Sequence, residues 1–515
     1  MSLESLIIKS HHPTIRLPQP AHRYLRHGWQ SWSLAAWTDC SPLPVPQPAI
    51  LHPLQTDPLY ANESRPHGSW FGAVEFANGE MLLLGALGLG THVRLNGVYL
   101  EGWAESEFSE WVIAHGAERE VFDFYAQELG RRFGAAQKKP APRVWCSWYS
   151  FYNAITEKKL TEVFTDWGDF PFDVFQIDDG WQERVGDWQP NDRFPSGMAV
   201  LAEKIHQTGR KAGLWLAPLV AVKSSRLFHQ HADWFLRDEH HRFVSAGFNW
   251  GEPLFALDTT HPEVQNWLSR LMRQVREWGY EYLKLDFLYA GALPGRRYRN
   301  VQREEAYREG LGVIRQAMGE DAFFLACGAP IFPTLGLCDA LRVGPDVSGE
   351  WESFRDAVLL YNPAIPGVRN AIRTSLHRLW LKPLVQIDPD VVYFSKRGNS
   401  LRTEEKALLQ YLARVCEFRA TSDLPQRLDD EEKEALKAFL QEEIVPRQLG
   451  RAIYQLGDEV IDFSPAIGLP APPRGGKAVK AKILSWLANH SWALRLLYWQ
   501  NQRALMMQYP HTSSR

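Results

Sequence analysis

The rhythm of hydrophobic and polar positions changes at about residue 143, and this change divides the chain. Before it, glycines break up apolar runs, as in MLLLGALGLGTHVRLNG (81–97), whose Asn-Gly step signals a turn. Residues 1–140 are therefore expected to form a mostly β domain. The proline-rich stretch 41–58 reads as an exposed loop. QKKPAPRV (137–144) reads as a linker, because its prolines suit neither a helix interior nor a strand. After it, short apolar runs alternate with longer helical segments. The runs are VWCSWYSF (144–151), VFQIDDG (174–180), KAGLWLAPLV (211–220), YLKLDF (282–287), AFFLACGAP (322–330) and ALRVGPD (340–346). Two weaker ones lie near LWLKPLVQI (379–387) and VCEFRAT (415–421). Strand then helix, repeated about eight times, predicts parallel strands with crossover helices. Residues 431–515 are less regular and read as a small accessory region.

An open doubly wound sheet and a (β/α)8 barrel both fit this alternation. No GxGxxG or GxxxxGK[ST] follows the first strand, which removes the best signal for a nucleotide fold. Polar residues recur instead at strand ends: Asp178, Asp179, Asp286, Cys327 and Asp346. Barrel enzymes gather their sites from several strands at that edge. The expected fold is α/β, a TIM-barrel catalytic domain over 141–430 between the N-terminal β domain and a short C-terminal domain.

Composition narrows the chemistry. Hydrophobic residues make up 45% and charged residues 23%, as in a soluble protein with a large core. A net charge of −3 gives no sign of a nucleic-acid partner. The five cysteines include no CxxC pair, which suits a reducing compartment. The N-terminus has no signal-peptide pattern and no run of 18 apolar residues exists, so a cytoplasmic protein with no membrane partner is expected. Tryptophan, at 21 residues, is in clear excess. Indole rings fill cores, and they also stack on the apolar faces of sugars. The Trp-rich segment AKILSWLANHSWALRLLYWQNQRALMMQY (481–509) should pack on something, either its own core or a neighbour in a homo-oligomer.

The strand-end carboxylates are candidates for acid–base work. In YLKLDF, Lys284 and Asp286 share a strand face, and a lysine beside an aspartate holds the carboxylate ionised, as a nucleophile requires. In ALRVGPD, Arg342 precedes Asp346, whose Gly-Pro step lets it lean over the barrel mouth; a simple turn explains Gly-Pro-Asp as well. Two carboxylates on neighbouring strand ends are the equipment of glycoside hydrolysis. Asp178 and Asp179 are adjacent, so on a strand they face opposite ways. They suit gripping sugar hydroxyls better than sharing acid and base roles.

Ten motifs in order resemble the α-galactosidases of glycoside hydrolase family 36, the melibiases. They are HGWQSWS (27–33), WCSWYSFY (145–152), IDDGWQ (177–182), GDWQPNDRFPSG (186–197), GRKAGLWLAP (209–218), ALDTTHPEV (256–264), YLKLDF, CGAP (327–330), RVGPDV (342–347) and DPD (388–390). The resemblance implies a retaining exo-α-galactosidase with Asp286 as nucleophile and Asp346 as acid/base. It implies that Asp178 and Asp179 bind galactose O4 and O6 and that Lys284 serves the O2/O3 side. Trp181, Trp215, Cys327 and Arg342 would complete the pocket. It also implies a small carbohydrate substrate and neither metal nor cofactor. The family's usual motifs after strands three, five and six are altered here to LAPLV, ACGAPIF and RVGPD. The substituent at C2 therefore stays open, and so do N-acetylgalactosaminidase and galactosyl-transfer activities. A non-catalytic sugar binder is disfavoured, because every required acid is present.

Overall fold

In the computed structural model, the residues described are 3–42, 56–106, 108–137, 139–352, 365–469 and 474–488, with 490, 492, 493, 495, 496 and 499. At its centre are eight parallel strands: β1 (Val144–Cys146), β2 (Val174–Ile177), β3 (Lys211–Leu216), β4 (Tyr280–Leu285), β5 (Phe323–Ala326), β6 (Ala340–Arg342), β7 (Gln386–Asp388) and β8 (Ala420–Thr421). They pair in chain order, and β1 also pairs with β8. The chain just past β7 closes the circle, through a parallel bridge between Val392 and Thr421 and a 2.8 Å bond from Val392 N to the Ala420 carbonyl. The expected (β/α)8 barrel is present. Its strands are covered on both faces, which is why they read as unbroken apolar runs.

All eight predicted strands exist, and several are shorter than their apolar runs. Trp148–Phe151 turns into a helix after β1. Leu379–Leu381 is a 3-10 turn ahead of β7, and Thr403–Cys416 is a helix ahead of β8. In these places the core buries apolar residues on helical turns, and only two or three residues extend, before the turn in β1 and after it in β7 and β8. The predicted crossover helices stand at α1 (Glu157–Asp166), α2 (Gly197–His206) and α3 (Pro262–Glu277). Helix α3 has Pro262 in its first turn, and Gly279 (φ +97°) follows its last residues, as its ending requires. Helix α4 (Arg303–Met318) precedes β5. The β5–β6 crossover holds one helical turn, Ile331–Thr334. There the helix Glu118–Phe133 of the N-terminal domain covers the barrel, and Tyr125 meets Phe332 and Trp380 at 6.0 and 5.7 Å between ring centres.

The N-terminal domain is β as expected. A six-stranded antiparallel sheet packs on a four-stranded one over Tyr24, Val74, Leu84, Val93, Leu100 and Trp111. The outer face of the larger sheet joins the barrel core, which explains why strand Met81–Ala86 is buried throughout. Most of the proline-rich stretch, 43–55, lies outside the described residues. Asp57 at its end is buried against Arg303 rather than exposed. The described residues of the linker ahead of β1 carry no regular structure, yet the linker is pinned, because Lys139 Nζ donates to the Ala322 carbonyl at 2.7 Å. Beyond the barrel, helix Asp430–Gln441 is closed by an Asp429/Glu432 capping box. The strands Arg447–Gly450, Ile453–Leu456 and Glu459–Asp462 follow as one small sheet.

Candidate active site

At the end of β2, Gly180 (φ +115°) turns the chain so tightly that a Cβ there would meet the Asn153 carbonyl at 2.6 Å. The turn sends the two aspartates to different partners. Asp178 points into the barrel. Its Oδ2 accepts from Lys284 Nζ at 2.9 Å and Gln176 Nε2 at 2.6 Å, and its Oδ1 accepts from Asp179 N at 2.9 Å. Burial pushes the Lys284 ammonium down, but the charge of Asp178 together with smaller contributions from Cys146 and Cys327 carries it above its ordinary value. Asp179 turns outward and accepts from Gln182 Nε2 at 2.6 Å and Trp250 Nε1 at 2.7 Å. Burial pushes its carboxyl up to about 6 against those two hydrogen bonds.

Asp286 stands one residue past β4. It accepts from Trp215 Nε1 at 3.1 Å and from Phe287 N at 2.8 Å, so both oxygens face donors. Phe287 takes a left-handed backbone (φ +53°) to present that N–H. Asp346 follows β6 and has 37% of its side chain open to solvent. The surrounding protein, and then the charge of Asp390, push its carboxyl up to about 7 against the pull of Arg342 and Lys284; Asp286 adds to the rise. Cys327 is buried, and the charge of Asp286 adds to the burial that raises its thiol. Trp181 is fully buried, with its Nε1 donating to the Trp215 carbonyl at 2.9 Å, so it backs the wall that Trp215 forms.

Arg342 is the hub of the far wall. Its guanidinium reaches Asp388 at 2.8 Å, Asp390 at 3.0 Å and Asp346 at 3.3 Å. Asp390 holds a left-handed backbone (φ +81°), costly for a residue with a side chain. Its Oδ2 accepts from Tyr149 OH and from Val347 N, the residue after Asp346, the latter at 3.0 Å. The structure thus brings together Asp178, Asp179, Trp215, Lys284, Asp286, Arg342 and Asp346, with Cys327 in the wall.

Reading the sequence did not give roles to five neighbours: Asp388, Asp390, Tyr149, Trp250 and Trp32. Asp388, Asp390 and Tyr149 were marked only as parts of motifs. Trp250 sits on a two-residue hairpin turn with Gly251, both at positive φ, between strands Ser245–Asn249 and Glu252–Ala256 inserted after β3. The Trp-Gly step is its one local signal. Trp32 comes from the N-terminal domain and packs edge-on against Phe287 at 5.2 Å and Tyr289 at 5.9 Å. Its ring lies where a Cβ on Gly328 would stand, 2.9 Å away, so that position must be glycine. Its loop is locked onto the barrel. Ser31 N donates to the Ala329 carbonyl at 3.0 Å, and Arg378 donates to the Gly28, Ser31 and Val343 carbonyls.

Comparison with known proteins bears on this constellation. The melibiase family profile matches residues 108–319. The α-galactosidase AgaA of Geobacillus stearothermophilus is 27% identical over 216 residues, 39% of this chain and 28% of that protein. The chain thus aligns with about a quarter of the length of the curated relatives it matches. The structure of TtGalA, an α-galactosidase from Thermus thermophilus solved with p-nitrophenyl α-D-galactopyranoside, is 47% identical and has a TM-score of 0.85. That match covers 89% of this chain and 94% of that one. A family 36 AgaA variant solved with raffinose shares the fold at 14% identity and a TM-score of 0.57, over 83% of this chain and 61% of that one. With a relative this similar over nearly its whole length, the chain belongs to the melibiase family, the α-galactosidases of glycoside hydrolase family 36.

Proposed function

We propose that this chain is a retaining exo-α-galactosidase, removing terminal α-linked galactose from small oligosaccharides. One observation carries the reading: the unlike surroundings of Asp286 and Asp346. Asp286 accepts two hydrogen bonds, one at each oxygen, from Trp215 Nε1 and Phe287 N, which hold it in place as an attacking group. Asp346 is pushed up to about 7, so it holds a proton near neutral pH, and its open side faces the mouth.

In the first step an Asp286 oxygen attacks C1 of the galactosyl unit. The C1–O bond to the leaving group breaks, and Asp346 gives its proton to that oxygen. In the second step Asp346 takes a proton from water, whose oxygen attacks C1. The Asp286–C1 bond breaks and α-galactose leaves. Asp178 and Asp179 accept hydrogen bonds from galactose O4 and O6, while Lys284 serves the O2/O3 side. Trp215, Trp250 and Trp32 offer apolar ring surface around the sugar. The open–closed difference between the two acids predicts distinct rescue products. With azide and an aryl α-galactoside, Asp286→Ala should release β-galactosyl azide and Asp346→Ala α-galactosyl azide. β-Galactose as the first product of the parent enzyme would overturn retention.

A further inference from the structure

Much of the Trp-rich segment near the end of the sequence lies outside the described residues, but helix Gly476–Ala488, where it begins, leaves a row of apolar side chains exposed. Helix Gly476–Ala488 carries Val479, Ile483 and Trp486 at i, i+4 and i+7, so they form one stripe along it. These side chains are 57, 53 and 62% exposed, and Trp492, Leu496 and Trp499 beyond them 61, 55 and 62%. At about 100° per residue, Lys480 and Lys482 fall on opposite flanks of the stripe, and both are exposed. Residues 474–515 contain seven Lys or Arg and no Asp or Glu, whereas the preceding 473 residues contain 60 acidic against 50 basic. An acid-free basic segment on an acidic body is a sharp charge asymmetry.

We propose that this segment docks the protein on the surface of an anionic phospholipid bilayer, lying in the interface plane. Three features fit that occupant. Indoles favour the headgroup level, where a ring is apolar on its faces and polar at its N–H. Lysines flanking an apolar stripe keep their stems along it while their ammonium groups reach phosphates. A basic segment with no acid complements anionic lipid throughout. No helix among the described residues is long and apolar enough to cross a membrane, and the proposal places helix Gly476–Ala488 on the bilayer rather than through it. The expectation of no membrane partner rested on the lack of a spanning run, which a helix lying on a bilayer does not need. The rival occupant is a second copy, whose acidic body would also attract the segment. A planar surface, apolar below and anionic above, matches both the stripe and its lysine flanks.

The test is sedimentation of the full-length protein with phosphatidylcholine vesicles, with and without phosphatidylglycerol. The expected result is binding to the anionic vesicles, about tenfold weaker without phosphatidylglycerol and again about tenfold weaker for an Ile483→Glu/Trp486→Glu variant. Hydrolysis of an aryl α-galactoside should be the same for parent and variant, because the stripe includes no barrel-mouth residue. No binding to anionic vesicles, or equal binding by the variant, overturns the proposal. Light scattering that shows a dimer which the variant dissociates, with vesicles unbound, assigns the stripe to a second copy and overturns it as well.

Discussion

Lys284 Nζ lies 2.9 Å from Asp178 Oδ2, and the two side chains are 6 and 3% exposed. This buried pair ties the end of β4 to the end of β2, in the inner wall of the proposed sugar pocket. A buried ion pair adds little net stability, but removing one partner strands the other charge. Lys284→Met should therefore cost ~3–5 kcal/mol in urea unfolding and remove most activity. Asp178→Asn keeps an oxygen acceptor, so it should cost less stability while raising KM and lowering kcat. A Lys284→Met protein as stable as the parent would show that Asp178 is not left as an unpaired buried charge.

The alkaline limb of activity should report Asp346. Its carboxyl is raised to about 7 by the surrounding protein and then by Asp390, and the proposed mechanism needs it protonated. kcat/KM should therefore fall as pH rises through about 7, and Asp346→Ala should abolish that limb for substrates with good leaving groups. A profile flat to pH 9 in the parent would remove the acid/base assignment.

Asp390 sets that limb from behind. It adds negative charge beside Asp346, and it holds Val347 N and Arg342. Asp390→Asn removes the charge, so the alkaline limb should move down by on the order of one pH unit. Because the Val347 anchor and the Arg342 contact weaken, kcat should fall more than KM changes. A merely structural role would lower the amount of folded enzyme and leave the limb in place.

Glu304 links the two large domains. Its carboxylate accepts from Trp29 Nε1 and Trp70 Nε1, both at 3.0 Å, and from Gly90 N at 2.8 Å. Burial raises it to about 6, above its ordinary value. A group raised in the folded state contributes stability that is complete below the unfolded value, and this contribution is lost as pH rises through about 6. Glu304→Gln stays neutral throughout, so its stability should lack that loss, although one indole N–H is left unpaired at a cost of ~1–3 kcal/mol. Urea midpoints of both proteins between pH 4 and 8 check the difference in slope.

What the sequence made legible follows the range of each signal. Alternation along YLKLDF placed Lys284 and Asp286 on one face, a relation two residues long. Glycine after the double aspartate announced the turn that separates Asp178 from Asp179. β7 and β8 span three and two residues, too few to set a rhythm against the helical turns before them. Arg342's three carboxylates span two strand ends, and nothing local says that DPD (388–390) folds back onto β6. Trp32 arrives from a different domain, nearly 300 residues before Gly328, and only the folded interface reveals that it reaches the mouth.

Trp250 tests that last kind of contact at the site itself. Its indole N–H donates to Asp179 Oδ2 at 2.7 Å across 71 residues, and its ring meets Trp215 at 6.1 Å and Phe287 at 5.0 Å between centres. Trp250→Phe keeps the ring and deletes the donor. Asp179 then has one fewer hydrogen bond opposing its rise from burial, so its carboxyl should move further up from about 6. A protonated Asp179 is a poorer acceptor for a sugar hydroxyl, so the loss should fall on binding. KM should rise about tenfold, most strongly below pH 7, with kcat reduced less. Trp250→Ala should add loss of ring contact and raise KM further at every pH. The two variants separate the roles: a pH-independent rise in KM for Trp250→Phe would mean that the indole acts by its ring alone, and that Asp179 is set by Gln182.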